Sequence, residues 1–231
     1  MKIAIIPARG GSKRIHKKNI KEFCGKPIIA YSIEAALKSN LFDKVIVSTD
    51  CGDIAEVAKK YGAEIPFMRP KELSDDMTVT APVISHAIKF YEEQNIKIEW
   101  ACCLYATAPF VSENDLISAY DKIKASPDIK FVFSATSFSF PIQRAIYLGE
   151  SKEVHMFQPE NYLTRSQDLQ VAYHDAGQFY WGRPQGWKEE LIFFAPHSRV
   201  HILPRCRVQD IDTMEDWEFA EKLFQLNSER S

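Results

Sequence analysis

The chain has 231 residues, a formal net charge of −2 and 45% hydrophobic residues. That length and composition describe one large globular domain, or a domain with an appendage, with enough apolar surface for a sizeable core. The near-neutral balance argues against a general polycation for nucleic acid, and no apolar run approaches the roughly 18 residues of a membrane span.

Met1-Lys2 leads directly into an apolar run, with no secretory pattern. The five cysteines are odd in number, and their spacing suits neither zinc nor a disulfide framework. The expectation is a reduced, cytoplasmic protein without a membrane or nucleic-acid partner. A first strand is predicted over Ile3-Ala4-Ile5-Ile6-Pro7-Ala8. It opens into a loop holding Gly10 and Gly11, with Arg9, Lys13, Arg14, Lys17 and Lys18 close together. Glycines let a backbone curl its N–H groups toward one anion, and neighbouring cations add charge. The loop could be an exposed basic turn or a nucleic-acid patch. The glycine pair directly after an apolar strand favours a polyphosphate cradle, placed where open α/β sheets bind ligands. Gly10-Gly11-Ser12-Lys13 is neither a P-loop nor Gly-x-Gly-x-x-Gly, so ATPase and dinucleotide readings lose their main support.

Pro27 suits the first turn of a helix carrying Ile28, Ile29, Ser32, Ile33, Ala36 and Leu37 at helical spacing. A strand follows at Val45-Ile46-Val47-Ser48, and then a helix through Ile54, Val57, Ala58 and Tyr61, closed by Gly62. This alternation predicts a parallel sheet with right-handed crossovers. Pro66 and Pro70 fix an extended loop. Ser74 to Thr80 reads more readily as an elaborate helix cap than as the lining of a base or ribose pocket, and a helix runs from Thr78–Thr80 to about Gln94. Strands are predicted at Trp100-Ala101-Cys102-Cys103-Leu104 and Phe131-Val132-Phe133-Ser134-Ala135, with a helix from Glu113 to Ala125 between them. Ser137 to Tyr173 has no βα rhythm and reads as an insertion with a binding or association role. An aromatic strand at Gln178-Phe179-Tyr180-Trp181, short strands at Phe193–Pro196 and Val200–Leu203, and a helix from Glu215 to about Leu226 complete the chain. His174 reads as a structural donor or a substrate ligand. Asp210 and Asp212, two apart, would present both carboxylates on one face of an extended segment and so suit Mg²⁺; capping by Asp212 or Thr213 is the other reading.

Together these motifs resemble the cytidylyltransferases that activate nonulosonic (sialic-type) acids. The resemblance rests on Ile6-Pro7-Ala8-Arg9-Gly10-Gly11-Ser12-Lys13 with Lys18-Asn19, and on Val47-Ser48-Thr49-Asp50. It continues through Arg69-Pro70 with Glu72-Leu73-Ser74-Asp75-Asp76 and through Asp210-Ile211-Asp212-Thr213. It runs nearly end to end. Tyr105-Ala106-Thr107-Ala108-Pro109-Phe110 and His174-Asp175-Ala176-Gly177-Gln178-Phe179-Tyr180-Trp181 depart from the Gln-Pro-Thr-Ser-Pro and Arg-Pro-Asn-Gly patterns of neuraminate enzymes, and they are most similar to the branch whose sugar is pseudaminic acid.

The resemblance implies a single α/β domain over 1–231, Rossmann-like and mostly parallel, of the nucleotide-diphospho-sugar transferase type, with 137–173 as a dimerisation and substrate insertion. It implies a homodimer that joins CTP to a nine-carbon α-keto acid sugar. Arg9, Gly10, Ser12, Lys13 and Lys18 would hold the triphosphate, with Asn19, Arg69 and Thr80 around the cytosine and ribose. Asp210 and Asp212 would hold Mg²⁺. Tyr105, Gln143, Arg165, His174, Tyr180 and Phe194 would face the sugar, Arg165 across the dimer. Arg9, Lys18 and Asp212 would carry the catalytic work. The alternatives are a legionaminic or N-acetylneuraminic acid substrate, or a non-catalytic anion- or nucleic-acid-binding protein.

Overall fold

The computed structural model describes residues 1–228. In chain order it forms β1 (Lys2–Pro7), a two-residue hairpin of β2 (Glu22–Phe23) and β3 (Lys26–Pro27), α1 (Ile28–Lys38), β4 (Lys44–Ser48), α2 (Gly52–Lys60) and α3 (Thr80–Glu92). Next come β5 (Trp100–Leu104), α4 (Glu113–Lys124), β6 (Phe131–Ser137), β7 (Ile146–Leu148) and β8 (Val154–Met156). The chain continues with β9 (Tyr173–Gly182), α5 (Pro184–Lys188), β10 (Ser198–Ile202) and α6 (Met214–Ser228). The central sheet has the order β10-β6-β9-β5-β1-β4. All its strands run parallel except β9, which is antiparallel to both neighbours. This mostly parallel sheet flanked by helices is the expected fold class.

Alternation along the strands builds two cores. Ala4, Ile6, Val45, Val47, Cys102 and Leu104 face the layer of α1, α2 and α4, while Ile3, Ile5, Ile46, Ala101 and Cys103 face α3 and α5. Strands buried on both faces read as unbroken apolar runs, which is why these three were visible in the sequence. A third cluster packs Trp217 and Ala220 of α6 on Phe23, Ile28, Phe110 and Ile211. Gly62, at φ +95°, closes α2 in the left-handed conformation that a side chain would strain.

Several expectations change. Phe193–Pro196 is not a strand; the half-buried Phe193 instead packs its ring against Phe131, Trp187 and Tyr180. The aromatic strand is longer than its apolar run, because β9 starts at Tyr173 and pairs with the end of β6 as far as Ser137↔Tyr173. The register shifts between Phe133 and Ala135, where the Ser134 hydroxyl accepts the N–H groups of Gln178 and Phe179, both at 3.2 Å. The 137–173 segment is an excursion between β6 and β9 that carries its own β7–β8 hairpin. Among the described residues, no helix is long and apolar enough to cross a membrane.

Candidate active site

The chain passes from β1 to β4 on one side and returns to β5 on the other, so β1 marks the point where the strand order reverses. Ligands of open α/β sheets bind at the carboxyl end of such a point. A cleft of about 620 Å³ lies there, lined by Pro7 at the end of β1, Tyr105 to Thr107 after β5, and the start of α3. Arg9, Ser12, Lys13, Arg14, Lys18, Asn19, Arg69, Thr80 and Asp212 all line it. Five of its lining residues are cations and two, Asp76 and Asp212, are carboxylates, so an anion fits.

Each functional group is held by its neighbours. Arg69 is buried (6% exposed) above the end of β4, where its guanidinium donates to the Ser48 hydroxyl at 3.1 Å and to the Ser48 carbonyl. Burial lowers its pKa to about 10, so it remains a cation at neutral pH. Asn19 donates to the Arg9 carbonyl at 2.9 Å. Lys18 starts a short 3₁₀ turn and donates to the Ile211 carbonyl at 2.7 Å, with Asp212 at 3.4 Å. Arg14 pairs with Asp212 at 2.8 Å, and Arg9 with Asp76 at 2.8 Å. Thr80 and Tyr105 share a hydrogen bond at 3.0 Å, and burial pushes the Tyr105 hydroxyl up to about 12.

Gly10 works one step away from the cleft. Its N–H donates to Asp50 at 2.8 Å, and a Cβ there would stand 2.8 Å from Cys51 Cβ. The absence of a side chain therefore lets the loop close down on the start of α2.

At the other wall, Ile211 is buried, and the flanking Asp210 and Asp212 leave the core on the opposite side. The α6 cap is Thr213 with Asp216, whose carboxylate accepts the Thr213 N–H at 2.7 Å and whose own N–H donates to the Thr213 hydroxyl at 3.2 Å. Capping thus uses neither the Asp210 nor the Asp212 carboxylate; Asp212 is engaged by Arg14 and Lys18, and of the two it is Asp212 that lines the first cleft. Desolvation and, next, the Asp212 carboxylate push the Asp210 carboxyl upward, while Lys18 opposes them. Among the described residues, no group of three or more His, Cys, Asp or Glu is placed to enclose a metal. Two crowded hard-oxygen donors suit an ion that takes most of its shell from phosphate and water.

The sugar-side residues divide. His174 and Phe194 line a second cleft of about 450 Å³, with Phe133, Asp175 and Phe193. His174 Nδ1 lies 2.8 Å from the Asp175 carbonyl, which can only accept, so Nδ1 carries the proton. Tyr180 is buried between the two clefts, its ring centroid 5.6 Å from that of Tyr105 and its hydroxyl donating to Asp175. Gln143 and Arg165 line neither cleft. Gln143 donates to the Gln170 carbonyl at 2.9 Å and Arg165 pairs with Asp168 at 2.8 Å, both within the insertion.

The 74–80 segment does more than cap a helix. Asp76, Thr78 and Val79 line the first cleft, and Val79, at the N-cap position, makes no side-chain cap. Asp76 and Asp175 were not singled out from the sequence. Both stand inside motifs that carry the resemblance, and the local signals were the acidic run after Pro70 and a carboxylate beside His174 ahead of an aromatic strand.

A family model described as cytidylyltransferase matches residues 3–227, and the chain belongs to that family. The pseudaminic acid cytidylyltransferase of Campylobacter jejuni subsp. jejuni serotype O:23/36 (strain 81-176) is 53% identical, over 98% of this chain and 97% of its own length. A Helicobacter pylori (strain ATCC 700392 / 26695) protein, named pseudaminic acid cytidylyltransferase and UDP-2,4-diacetamido-2,4,6-trideoxy-beta-L-altropyranose hydrolase, is 39% identical over 90% of this chain and 40% of its own length. The solved structure of CMP:2-keto-3-deoxy-manno-octonic acid synthetase complexed with CTP shares the fold, with a TM-score of 0.71 at 15% identity over 98% of this chain and 99% of that one.

Proposed function

We propose that this enzyme transfers CMP from CTP to the anomeric hydroxyl of pseudaminic acid and releases pyrophosphate. The observation that carries the reading is the convergence of Arg9, Lys13, Arg14, Lys18 and Arg69 on one cleft at the switch point, with Asp212 on the facing wall. The high identity with the Campylobacter relative over nearly the full length of both chains supports pseudaminic acid as the acceptor. The sugar oxygen forms a bond to the α-phosphorus, the bond to the bridging oxygen of the β-phosphate breaks, and the hydroxyl proton leaves to solvent.

Such a reaction asks for positioning and charge neutralisation more than for covalent help. Arg9, Lys13 and Lys18 offset the charge of the triphosphate and of the departing pyrophosphate, with Ser12 beside them. Arg69, fixed on Ser48, and Asn19, fixed on the Arg9 carbonyl, orient the nucleotide. Thr80 and Tyr105 stand between nucleotide and sugar, and Tyr180, His174 and Phe194 take the sugar. Asp210 and Asp212 would hold Mg²⁺, which supplies further neutralisation of the phosphate oxygens.

The insertion supports a homodimer. It exposes Leu148, Val154, Phe157, Tyr162 and Leu163, an apolar surface that a second copy would cover. Gln143 and Arg165, which line neither cleft of their own chain, would then act on the partner's sugar. Five free cysteines fit a reducing, cytoplasmic setting.

Phosphorus NMR of a reaction containing CTP, Mg²⁺ and pseudaminic acid tests the transfer. The expected products are pyrophosphate and a single new phosphodiester. Inorganic phosphate in place of pyrophosphate, or no turnover, would contradict it.

A further inference from the structure

Asp76 contends with the triphosphate for the same two cations. Its carboxylate pairs with Arg9 at 2.8 Å and with the Lys13 ammonium, and Arg9 also donates to the Asp75 carbonyl at 2.6 Å. All three side chains line the first cleft. Asp76 is presented on a fixed turn. Asp75 Oδ1 accepts the N–H groups of Met77 and Thr78 at 3.0 and 2.7 Å and the Thr78 hydroxyl at 2.6 Å, which ties residues 75–78 into one unit. The hydrogen bond from Lys13 holds the Asp76 carboxyl below the usual range against a smaller desolvation effect, so it is an anion at neutral pH.

The pairs are open to water. The side chains of Arg9 and Asp76 are 36% and 40% exposed, and that of Lys13 is 77% exposed. Ion pairs this wet are weak and screened by salt. A triphosphate brings several charges and many oxygens to the same cations and displaces a single carboxylate. After transfer, the pyrophosphate is no longer tethered to the nucleoside, and the carboxylate, tethered by its turn, regains the advantage.

We infer that Asp76 is a built-in competitor of the triphosphate, whose return to Arg9 and Lys13 expels pyrophosphate after transfer. No covalent bond changes in this step; two cations exchange one anion for another. The inference rests on the triphosphate reading of the first cleft. Asp76 thereby trades nucleotide affinity for product release.

Calorimetric titration of CTP, pyrophosphate and cytidine into the wild type, Asp76→Asn and Asp76→Glu tests this, with pyrophosphate inhibition followed in parallel. In Asp76→Asn, pyrophosphate and CTP should each bind about threefold tighter or more, with the gain shrinking at high salt. Pyrophosphate should inhibit turnover more strongly. Cytidine, which lacks phosphate, should bind as it does to the wild type, and Asp76→Glu should restore most of the wild-type behaviour. Unchanged or weaker pyrophosphate binding by an Asp76→Asn protein with a wild-type melting temperature would overturn the inference while leaving the triphosphate reading in place. A wild type that binds cytidine but gains nothing from the phosphates of CTP would overturn both.

Discussion

Arg69 and Lys18 share a cleft but carry different burdens. Arg69 is buried and bridges the hydroxyl and carbonyl of Ser48, so Arg69→Ala takes away the donor to the buried Ser48 hydroxyl, while the carbonyl keeps the Ala8 N–H at 2.9 Å. That should cost about 1–3 kcal/mol of stability as well as CTP affinity. Lys18 reaches the cleft from a short turn, and its removal gives up the hydrogen bond to the Ile211 carbonyl and the longer contact with Asp212 at 3.4 Å. Lys18→Ala should lose about 1 kcal/mol or less, yet lower kcat by about a hundredfold or more. Thermal melts and steady-state kinetics on the two variants separate these roles, and equal melting shifts with unequal rates in the reverse order would contradict the assignment. The cations were legible because a loop after an apolar strand keeps them consecutive. Asp212 was legible as half of an Asp-x-Asp, but its pairing with Arg14 and Lys18 was not, nor was that of Asp76 with Arg9 and Lys13, because ion pairs across such separations leave no local pattern.

At the scale of elements, α4, β10 and the segment leading to the Asp210–Asp212 wall are clasped by Asp115. Ser112 and Asp115 form a capping box at the start of α4, and Asp115 also takes His201 of β10 at 3.2 Å and the Arg207 guanidinium. The Gln178 amide fixes the Arg207 carbonyl at 2.6 Å, three residues before Asp210. Burial works to raise the Asp115 carboxyl, but the hydrogen bonds from His201, Arg207 and Ser112 outweigh it and hold it well below the usual carboxylate range. A depressed folded value means that this stability is fully present above about pH 4 and is lost as the pH falls below it. Asp115→Asn should therefore unfold with about 3 kcal/mol less free energy near neutrality and lose part of the acid-side slope seen in the wild type. Denaturant titrations across the acid range check both, and identical slopes would contradict the clasp. The parallel strands were readable from unbroken apolar runs such as Ile3–Ile6. The direction of β9 was not, since an aromatic run such as Phe179–Trp181 fits either orientation. Phe193-Phe194 looked like a strand because ring packing, of Phe193 on Phe131 and Tyr180 and of Phe194 on Phe133, selects the same aromatic residues as ladder pairing.

For the whole molecule, the excursion between β6 and β9 leaves an apolar hairpin facing outward, which a second copy is expected to cover. Light scattering should give about twice the 26.5 kDa chain mass, and Leu148→Asp with Leu163→Asp should shift the protein toward one copy and raise the KM for the sugar, because Gln143 and Arg165 would leave the partner's site. A monomeric wild type with full activity would contradict that arrangement. The central claim is that the two clefts join CTP to one particular nonulosonic acid. Initial rates of pyrophosphate release, with CTP and Mg²⁺ held constant and pseudaminic, legionaminic or N-acetylneuraminic acid supplied in turn, test it most directly. Rapid release with pseudaminic acid and little with the other two is the expected result. Preferred release with either of the others would contradict it at the sugar cleft, and release that does not depend on any added sugar would contradict the transfer itself.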